Sequence, residues 1–263
     1  MRLLASVFAV LAVVMLVPAG AAFEARPVDA RAFALCAESA AWLRGFPVPE
    51  RPSAPRWTAA AWSGELYGLA ALGTTGVVVE RAAASSGFRA VAASTGSERF
   101  REVAAGATAC WTPDGPTWIV VAGRALGLAA REAGEAWTGA IDAGVCRVVA
   151  GRLAVGLMVR NVGGSRLLSS PLPTVHALSW RLALERMVWV GGVELEAGFE
   201  PSVCAGCELR VLDHLVGRVG LGFDPGRVGG GLGFEVASVG LDLGWQWHPR
   251  LGASVRVSLR KSF

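Results

Sequence analysis

The sequence is poor in charge, since only 17% of its 263 residues are Asp, Glu, Lys or Arg, whereas 53% are hydrophobic. A water-soluble surface normally needs about a quarter charged residues, so something other than water is expected to cover part of this protein. Its net charge is only +4, and its basic residues form no run and are not interleaved with aromatic ones. The lack of a basic patch predicts that nucleic acid is not a partner.

Long apolar runs are also lacking beyond the N-terminal region. No later stretch without a charged residue is longer than residues 66–79, which contain several Gly and Thr. A membrane-spanning helix needs about 20 predominantly apolar residues. Because backbone groups in lipid must be hydrogen-bonded internally, a hydrophobic chain without spanning helices can enter a bilayer only as a closed β-barrel.

Catalytic signatures are missing as well. The three histidines, His176, His214 and His248, have neither a G-x-S-x-G nucleophile elbow nor an H-E-x-x-H pair near them. We therefore expect no enzyme activity, no cofactor and no metal.

The N-terminus has the pattern of a secretory signal peptide. Arg2 is followed by an apolar run over residues 3–17 and by small residues at 19–22. This run is short for a retained membrane anchor, which is the alternative, and no cysteine marks a lipoprotein. We assign residues 1–22 to a cleaved signal peptide and expect export to the outer membrane of a Gram-negative-type bacterium.

Residues 23–56 form a separate N-terminal segment. An Ala-, Leu- and Glu-rich stretch predicts a helix over residues 26–45, with Asp29 able to cap its start. Residues 46–56 are rich in proline, which interrupts both helices and sheets, and predict a linker. The helix is interpreted as a hatch or plug.

From Trp57 to Phe263 the apolar residues recur with a period of two. The segments are about ten residues long, alternate large apolar with small or polar residues, and are separated by turns, as in transmembrane barrel strands. We predict an all-β fold, an antiparallel transmembrane β-barrel of about twelve to fourteen strands over residues 57–263, with one N-terminal helix. A soluble sandwich would also alternate, but its water-facing side should hold more polar residues. Most of the ten tryptophans lie near predicted strand ends and predict aromatic girdles; these are Trp57, Trp62, Trp111, Trp118, Trp137, Trp180, Trp189, Trp245 and Trp247.

The last strand carries a candidate assembly signal. Val257 and Leu259 alternate with polar residues, and the chain ends on Phe263. Barrels of the outer membrane typically end in this way, so the barrel assembly machinery and outer-membrane lipid are the expected partners. Lys261 departs from the pattern, but it can reach the headgroups from an interfacial position.

Two further groups of residues are candidates for a role. Cys204 and Cys207 are predicted to lie in a loop and, in an oxidising compartment, to form a small disulfide; Cys36, Cys110 and Cys146 are left without an assigned pairing. The inward-facing charges either pair with one another and fill a narrow barrel or line a path for a small solute; they are Arg181, Glu194, Glu196, Arg218, Glu235, Asp242 and Arg256.

Several short motifs resemble one family. They comprise the acidic-Ser-Ala-Ala-Trp stretch 38–42, the hairpin 62–68, the central segments 141–145 and 153–163, and the closing hairpin 247–252 that leads into 256–259. The chain resembles the outer-membrane barrels related to PorV and PorQ within the FadL-like fatty-acid transporter group. The family's Asn-Pro-Ala-Gly is replaced here by Leu43–Pro47.

This resemblance implies transport of hydrophobic or small solutes across the outer membrane, a hydrophobic ligand, and a helix that acts as a hatch. The alternative is a non-conducting barrel that serves as a scaffold or secretion-system component through its surface loops. A third reading is a soluble exported β protein.

Overall fold

The chain forms one closed antiparallel barrel of 14 strands with a short helix inside it. The computed structural model describes residues 29–36, 55–132, 134–223 and 226–263. Helix α1 is Ala30–Ala34, and the strands are β1 (Arg56–Leu66), β2 (Leu69–Ala82), β3 (Ser86–Gly96), β4 (Phe100–Trp111), β5 (Thr117–Ala130), β6 (Gly134–Val149), β7 (Leu153–Arg160), β8 (Arg166–Leu167), β9 (Ser170–Pro171), β10 (Val175–Ala183), β11 (Met187–Glu196), β12 (Ser202–Leu212), β13 (Leu215–Phe223), β14 (Arg227–Val236), β15 (Val239–His248) and β16 (Gly252–Ser262). The short strands β8 and β9 form a hairpin of their own, and the other strands build the wall. The predicted fold class is confirmed.

The barrel closes where β1 pairs with β16, in a register that runs from Thr58 opposite Ser262 to Glu65 opposite Val255. The pairing continues to the last residue, because the Phe263 nitrogen donates to the Trp57 oxygen over 2.9 Å. Closure leaves the wall without an open edge at which another chain could pair.

The two faces of the wall differ as the period of two predicts. In β16, Val255, Val257 and Leu259 are exposed on the outer face, whereas Ser254, Arg256 and Ser258 between them are buried in the lumen. The same alternation holds along β15. A continuous belt of exposed Leu, Val, Ile, Phe and Trp around a protein is unfavourable in water. The belt is therefore the surface that a membrane barrel presents to hydrocarbon.

Tryptophans on the outer face cover glycines of neighbouring strands. Trp180 lies opposite Gly191, and Trp137 lies opposite Gly127. A Cβ atom added at either glycine would be 2.7 Å from the indole ring, so each ring packs directly against glycine backbone. Trp245 over Gly230 is a third such pair. These three glycines face outward.

Two tryptophans assigned to the girdles lie elsewhere. Trp62 and Trp118 face the lumen and are only 4% and 1% exposed. Trp57, Trp111, Trp137, Trp189, Trp245 and Trp247 are exposed on the outer face, towards one end of the barrel or the other. The girdle prediction is thus wrong for Trp62 and Trp118, because a position near a strand end does not fix the face.

Within residues 29–36, the predicted cap of the helix is confirmed and the helix ends earlier than predicted. The Asp29 carboxylate accepts a hydrogen bond from the Ala32 nitrogen over 2.8 Å, as an N-cap does. The helix ends at Ala34, and Cys36 follows with a φ of 48°. Residues 26–28 and 37–45 of the predicted helix, the signal peptide and most of the linker lie outside the described residues. Among the helices of the described ranges, none has the length and apolar character needed to cross a membrane.

One long connection folds back into the barrel. We call the end where β1 begins and β16 ends the terminal end. At the opposite end the segment 161–174, which contains β8 and β9, connects β7 to β10. Its Leu172 is buried against the inward-facing Ala104, Leu126 and Ala140, and Leu167 packs on the same cluster. We call residues 161–174 the inward loop. It narrows the opening of the barrel at this end, next to β4–β6.

Asn161 holds the inward loop in place. Its side-chain nitrogen donates to the Leu172 oxygen over 2.7 Å, and its side-chain oxygen accepts from the Ser165 nitrogen over 3.0 Å. The Asn161 backbone nitrogen donates to Asp142 over 2.9 Å, and Asp142 is in turn paired with Arg124 over 2.7 Å. The loop is therefore attached to β5 and β6 by a buried polar cluster.

We expect Asn161→Gly to release the inward loop. Asn161 has a φ of 57°, which glycine adopts without strain, so the variant removes only the side-chain bonds. Each buried backbone group left without a partner costs about 1–3 kcal/mol. Trypsin should then cut the folded barrel at Arg166 faster than the wild type, by about tenfold or more. Ser165→Ala is the matched control, since the Ser165 backbone donor remains. Equal cleavage of the two variants would contradict this role.

Candidate functional site in the barrel lumen

The lumen holds helix α1 against a floor of glycines. A Cβ atom added at Gly206 would lie 2.7 Å from the Leu35 oxygen, and one at Gly229 would lie 2.6 Å from the Ala34 oxygen. Such distances do not occur with real Cβ atoms, so the helix backbone lies directly on the strand backbone. The complete floor, which extends over β12–β15, consists of Gly206, Gly220, Gly229, Gly231 and Gly244.

A chain of ion pairs fixes the first turn of the helix. The Arg31 guanidinium donates to Glu208 Oε1 over 2.6 Å, and Arg218 donates to Glu208 Oε2 over 2.7 Å. Arg218 also pairs with Asp242 over 2.7 Å, and its side chain is only 3% exposed. The adjacent Glu208 carboxylate raises the pKa of Arg31 above its usual value, so the Arg31 end of this contact keeps its charge at every physiological pH.

Phe33 makes the second specific contact of the helix with the wall. Its ring lies under the Arg256 guanidinium, whose carbon is 4.5 Å from the ring centroid. Its backbone oxygen accepts from Gln246 Nε2 over 2.7 Å. Leu35 packs on Val190 and Cys204. An ion pair, a cation–π contact, a hydrogen bond to a backbone carbonyl and apolar packing therefore all hold the helix against the wall. We call helix α1 with its flanking residues 29–36 the plug, and the wall residues that contact it the cradle.

The other half of the lumen is filled by the strands themselves. Inward side chains of β4–β7 and β10 form one buried apolar cluster that contains Cys110, Trp118, Val120, Ala154, Met158, Cys146 and Ala177. Large side chains fill the lumen here, whereas the glycine floor opposite leaves room for the plug. The plug is therefore the part of the lumen filling that does not come from the strands of the wall.

The residues predicted to face the lumen do lie on the inner face, but in different places. Arg218, Asp242 and Arg256 are buried beside the plug, as described above. Glu194 is paired with Arg160 over 3.0 Å. Glu235 lies at the terminal end, half exposed, 3.7 Å from Arg260. Arg181 and Glu196 share the inner face of β10 and β11. Whether these charges select a solute stays a prediction.

Sequence reasoning missed the residues that join the plug to the wall. Arg31 and Glu208 are 177 residues apart in the chain, and Gln246 resembles any other polar residue of a strand. Glu208 follows the alternation of β12 and could have been placed on the inner face once Cys204 was placed in a strand. Nothing in the sequence marks its partner.

The predicted loop disulfide between Cys204 and Cys207 is wrong. Both residues lie within β12, opposite Gly192 and Trp189 of β11 respectively. Because strand residues three apart project to opposite faces, Cys204 is buried in the lumen and Cys207 faces outward. Both are thiols. Gly206, between the two cysteines, leaves room for Leu35, whereas Ala205 is exposed on the outer face.

Ion pairs and hydrogen bonds attach the plug to the wall. Glu208 and Asp242 each face a guanidinium, and in the described ranges no group of three or more His, Cys, Asp or Glu could hold a metal ion. What the site provides is a specific, polar attachment of the plug inside a closed wall.

No protein-family model and no curated protein sequence matches the chain. Solved structures do match, at very low identity. The toluene transporter TodX of P. putida gives a TM-score of 0.59 at 9% identity, with 91% of this chain and 99% of that chain covered. A Pseudomonas aeruginosa FadL homologue gives a TM-score of 0.52 at 9% identity, with 92% of this chain and 99% of that chain covered. The Acinetobacter baumannii outer membrane protein Omp33 gives a TM-score of 0.55 at 9% identity, with 79% of this chain and 98% of that chain covered. At these identities the likeness shows a shared fold, that of outer-membrane β-barrels.

Proposed function

We propose that this protein is an outer-membrane barrel that transports hydrophobic or small solutes, with the plug as its gate. The observation that carries the proposal is the position of the plug on the glycine floor, where it fills space that the wall leaves free and is held by a small number of specific contacts. The apolar belt supports a membrane location, and the shared fold with a toluene transporter and a FadL homologue agrees with transport. The assignment to the PorV- and PorQ-like barrels rests on the motifs alone, and export by a cleaved signal peptide is part of the proposal.

The proposal predicts that loosening the plug opens the barrel. Arg31→Ala/Phe33→Ala removes a charge-assisted hydrogen bond worth about 1.5–3 kcal/mol and the contact between Phe33 and Arg256. The open population should rise by about tenfold or more, since every 1.4 kcal/mol corresponds to a factor of ten. Planar-bilayer current and uptake of a small aromatic solute into proteoliposomes should both increase over the wild type.

A matched control is Arg99→Ala/Phe199→Ala, which removes the same residue types from exposed turns. It should leave current and uptake at the wild-type level. If the folded plug variant shows no increase in current or in uptake over the wild type, the proposal of transport is wrong. The alternative is then a sealed scaffold, which the apolar filling beside β4–β7 favours.

A further inference from the structure

The plug contacts the wall through three chemically distinct groups on two residues. A cation is bound by Glu208, a carbonyl oxygen by Gln246, and an aromatic ring by Arg256. These wall residues come from three different strands, β12, β15 and β16. A plug that only filled the lumen would need none of these three polar contacts, since the apolar cluster on the opposite wall fills its part of the lumen without them. The cradle therefore has the composition of a recognition site.

The floor of the cradle is suited to a flat amide backbone. Gly206 and Gly220 let the Leu35 backbone approach closely, and Gly244 does the same for the backbone of Ala30. A side chain at any of these positions would occupy the space of a peptide unit. Glycines placed in one patch over four neighbouring strands leave a shallow slot about as wide as one peptide chain.

We infer that the cradle is a binding site for small cationic aromatic amides, such as short peptides containing arginine and phenylalanine, and that the plug occupies it as an internal stand-in. The inference rests on the proposed function, because it names the class of solute that would open the gate. An anionic ligand would meet the carboxylates of Glu208 and Asp242 at the position of Arg31. A ligand without a ring would lose the contact with Arg256.

The plug competes with such a ligand from within the same chain. A tethered segment acts at an effective concentration of roughly millimolar, so a free ligand with the same contacts should displace it only near that concentration. Cys36 reports the displacement, because it is the last residue of the plug and is 0% exposed while the plug is seated.

The test uses the full-length barrel in detergent and the tripeptide N-acetyl-Arg-Ala-Phe-amide, which copies residues 31–33. The rate at which a small charged maleimide labels Cys36, read by peptide mass spectrometry, should rise saturably, by about fivefold at millimolar peptide. N-acetyl-Glu-Ala-Phe-amide and N-acetyl-Arg-Ala-Ala-amide should have little effect. No acceleration, or the same acceleration by all three peptides, would overturn the inference.

Wall variants locate the effect. In Glu208→Gln the preference for the arginine peptide over the glutamate peptide should disappear. In Arg256→Gln the preference for phenylalanine over alanine should disappear while the charge preference remains. A plug variant, Arg31→Ala, keeps the cradle intact and should bind the tripeptide more tightly, since its own segment competes less. Unchanged preferences in both wall variants would place the peptide elsewhere and contradict the inference.

Labelling and transport are separate measurements, so the two proposals can fail independently. Selective exposure of Cys36 without current or uptake would refute transport and leave the binding site standing. Current or uptake without selective exposure would refute the binding site and leave the gate standing.

Discussion

Oxidation of a Gly229→Cys variant is expected to stop transport, and reduction is expected to restore it. A Cβ atom at position 229 would lie 2.8 Å from the Cys36 sulfur, close to the distance of about 3 Å between a Cβ atom and the partner sulfur in a disulfide. The backbone at Gly229 has no positive φ, so a cysteine adds no backbone strain there, but the Ala34 oxygen, 2.6 Å from an added Cβ atom, must shift to admit it. The bond would attach the plug covalently to β14.

The measurement is uptake into proteoliposomes before and after addition of a reductant. Uptake by the oxidised variant should fall to the level of empty liposomes, because a covalent bond leaves no open population. Gly229→Ala carries the same crowding against the Ala34 oxygen without the thiol, and Gly229→Cys/Cys36→Ser removes the bond partner. Both controls should be insensitive to the reductant. Continued uptake by a fully oxidised Gly229→Cys protein would mean that the plug does not need to leave its seat.

The second large effect is expected at Arg218. Arg218→Met keeps the volume of the side chain but leaves Glu208 and Asp242 without the guanidinium that joins them. Removal of one member of a buried ion pair costs about 3–5 kcal/mol, and the side chain of Arg218 is 3% exposed. The temperature at which the folded barrel converts to the slower-migrating unfolded form on a detergent gel should fall clearly, and urea unfolding should shift in the same direction.

Arg260→Met is the matched control for Arg218→Met. Its pair with Glu235 spans 3.7 Å at 31% and 44% side-chain exposure, and exposed pairs contribute about 0–1 kcal/mol. Arg218→Met/Asp242→Asn should recover part of the loss, since one of the two carboxylates is then neutral. Similar losses in Arg218→Met and Arg260→Met would show that the ion-pair chain does not stabilise the lumen.

The alternation of residues was sufficient to predict the wall. In β15 and β16 one face is apolar and the other small or polar, so the period of two defines both the strand and its outer side. Where both faces are apolar, the period defines the strand alone. Trp118 has Thr117 and Ile119 as neighbours and Val120 two residues on, and nothing in this pattern shows that Trp118 and Val120 face the lumen.

The cradle was beyond prediction for a different reason. A hydrogen bond between Arg31 and Glu208 depends on how the whole barrel closes, and no local pattern records it. Ala205 and Gly206, between Cys204 and Cys207, suggest a flexible loop in the sequence. In the structure Gly206 admits the close approach of Leu35, and Ala205 is exposed on the outer face of β12. The capping role of Asp29, a local property, was predicted correctly.

The seam between β1 and β16 has a consequence for how the protein matures. It joins the segments of the wall that are farthest apart in the chain, and contacts of large sequence separation form slowly because their loop-closure entropy must be overcome first. Until then two strand edges are unprotected, and Ala32 and Phe33 of the plug lack their contact with Leu66 of β1. Enclosure of residues 29–36 therefore belongs to the final stage of biogenesis, and a protected Cys36 would mark the molecules that have reached it.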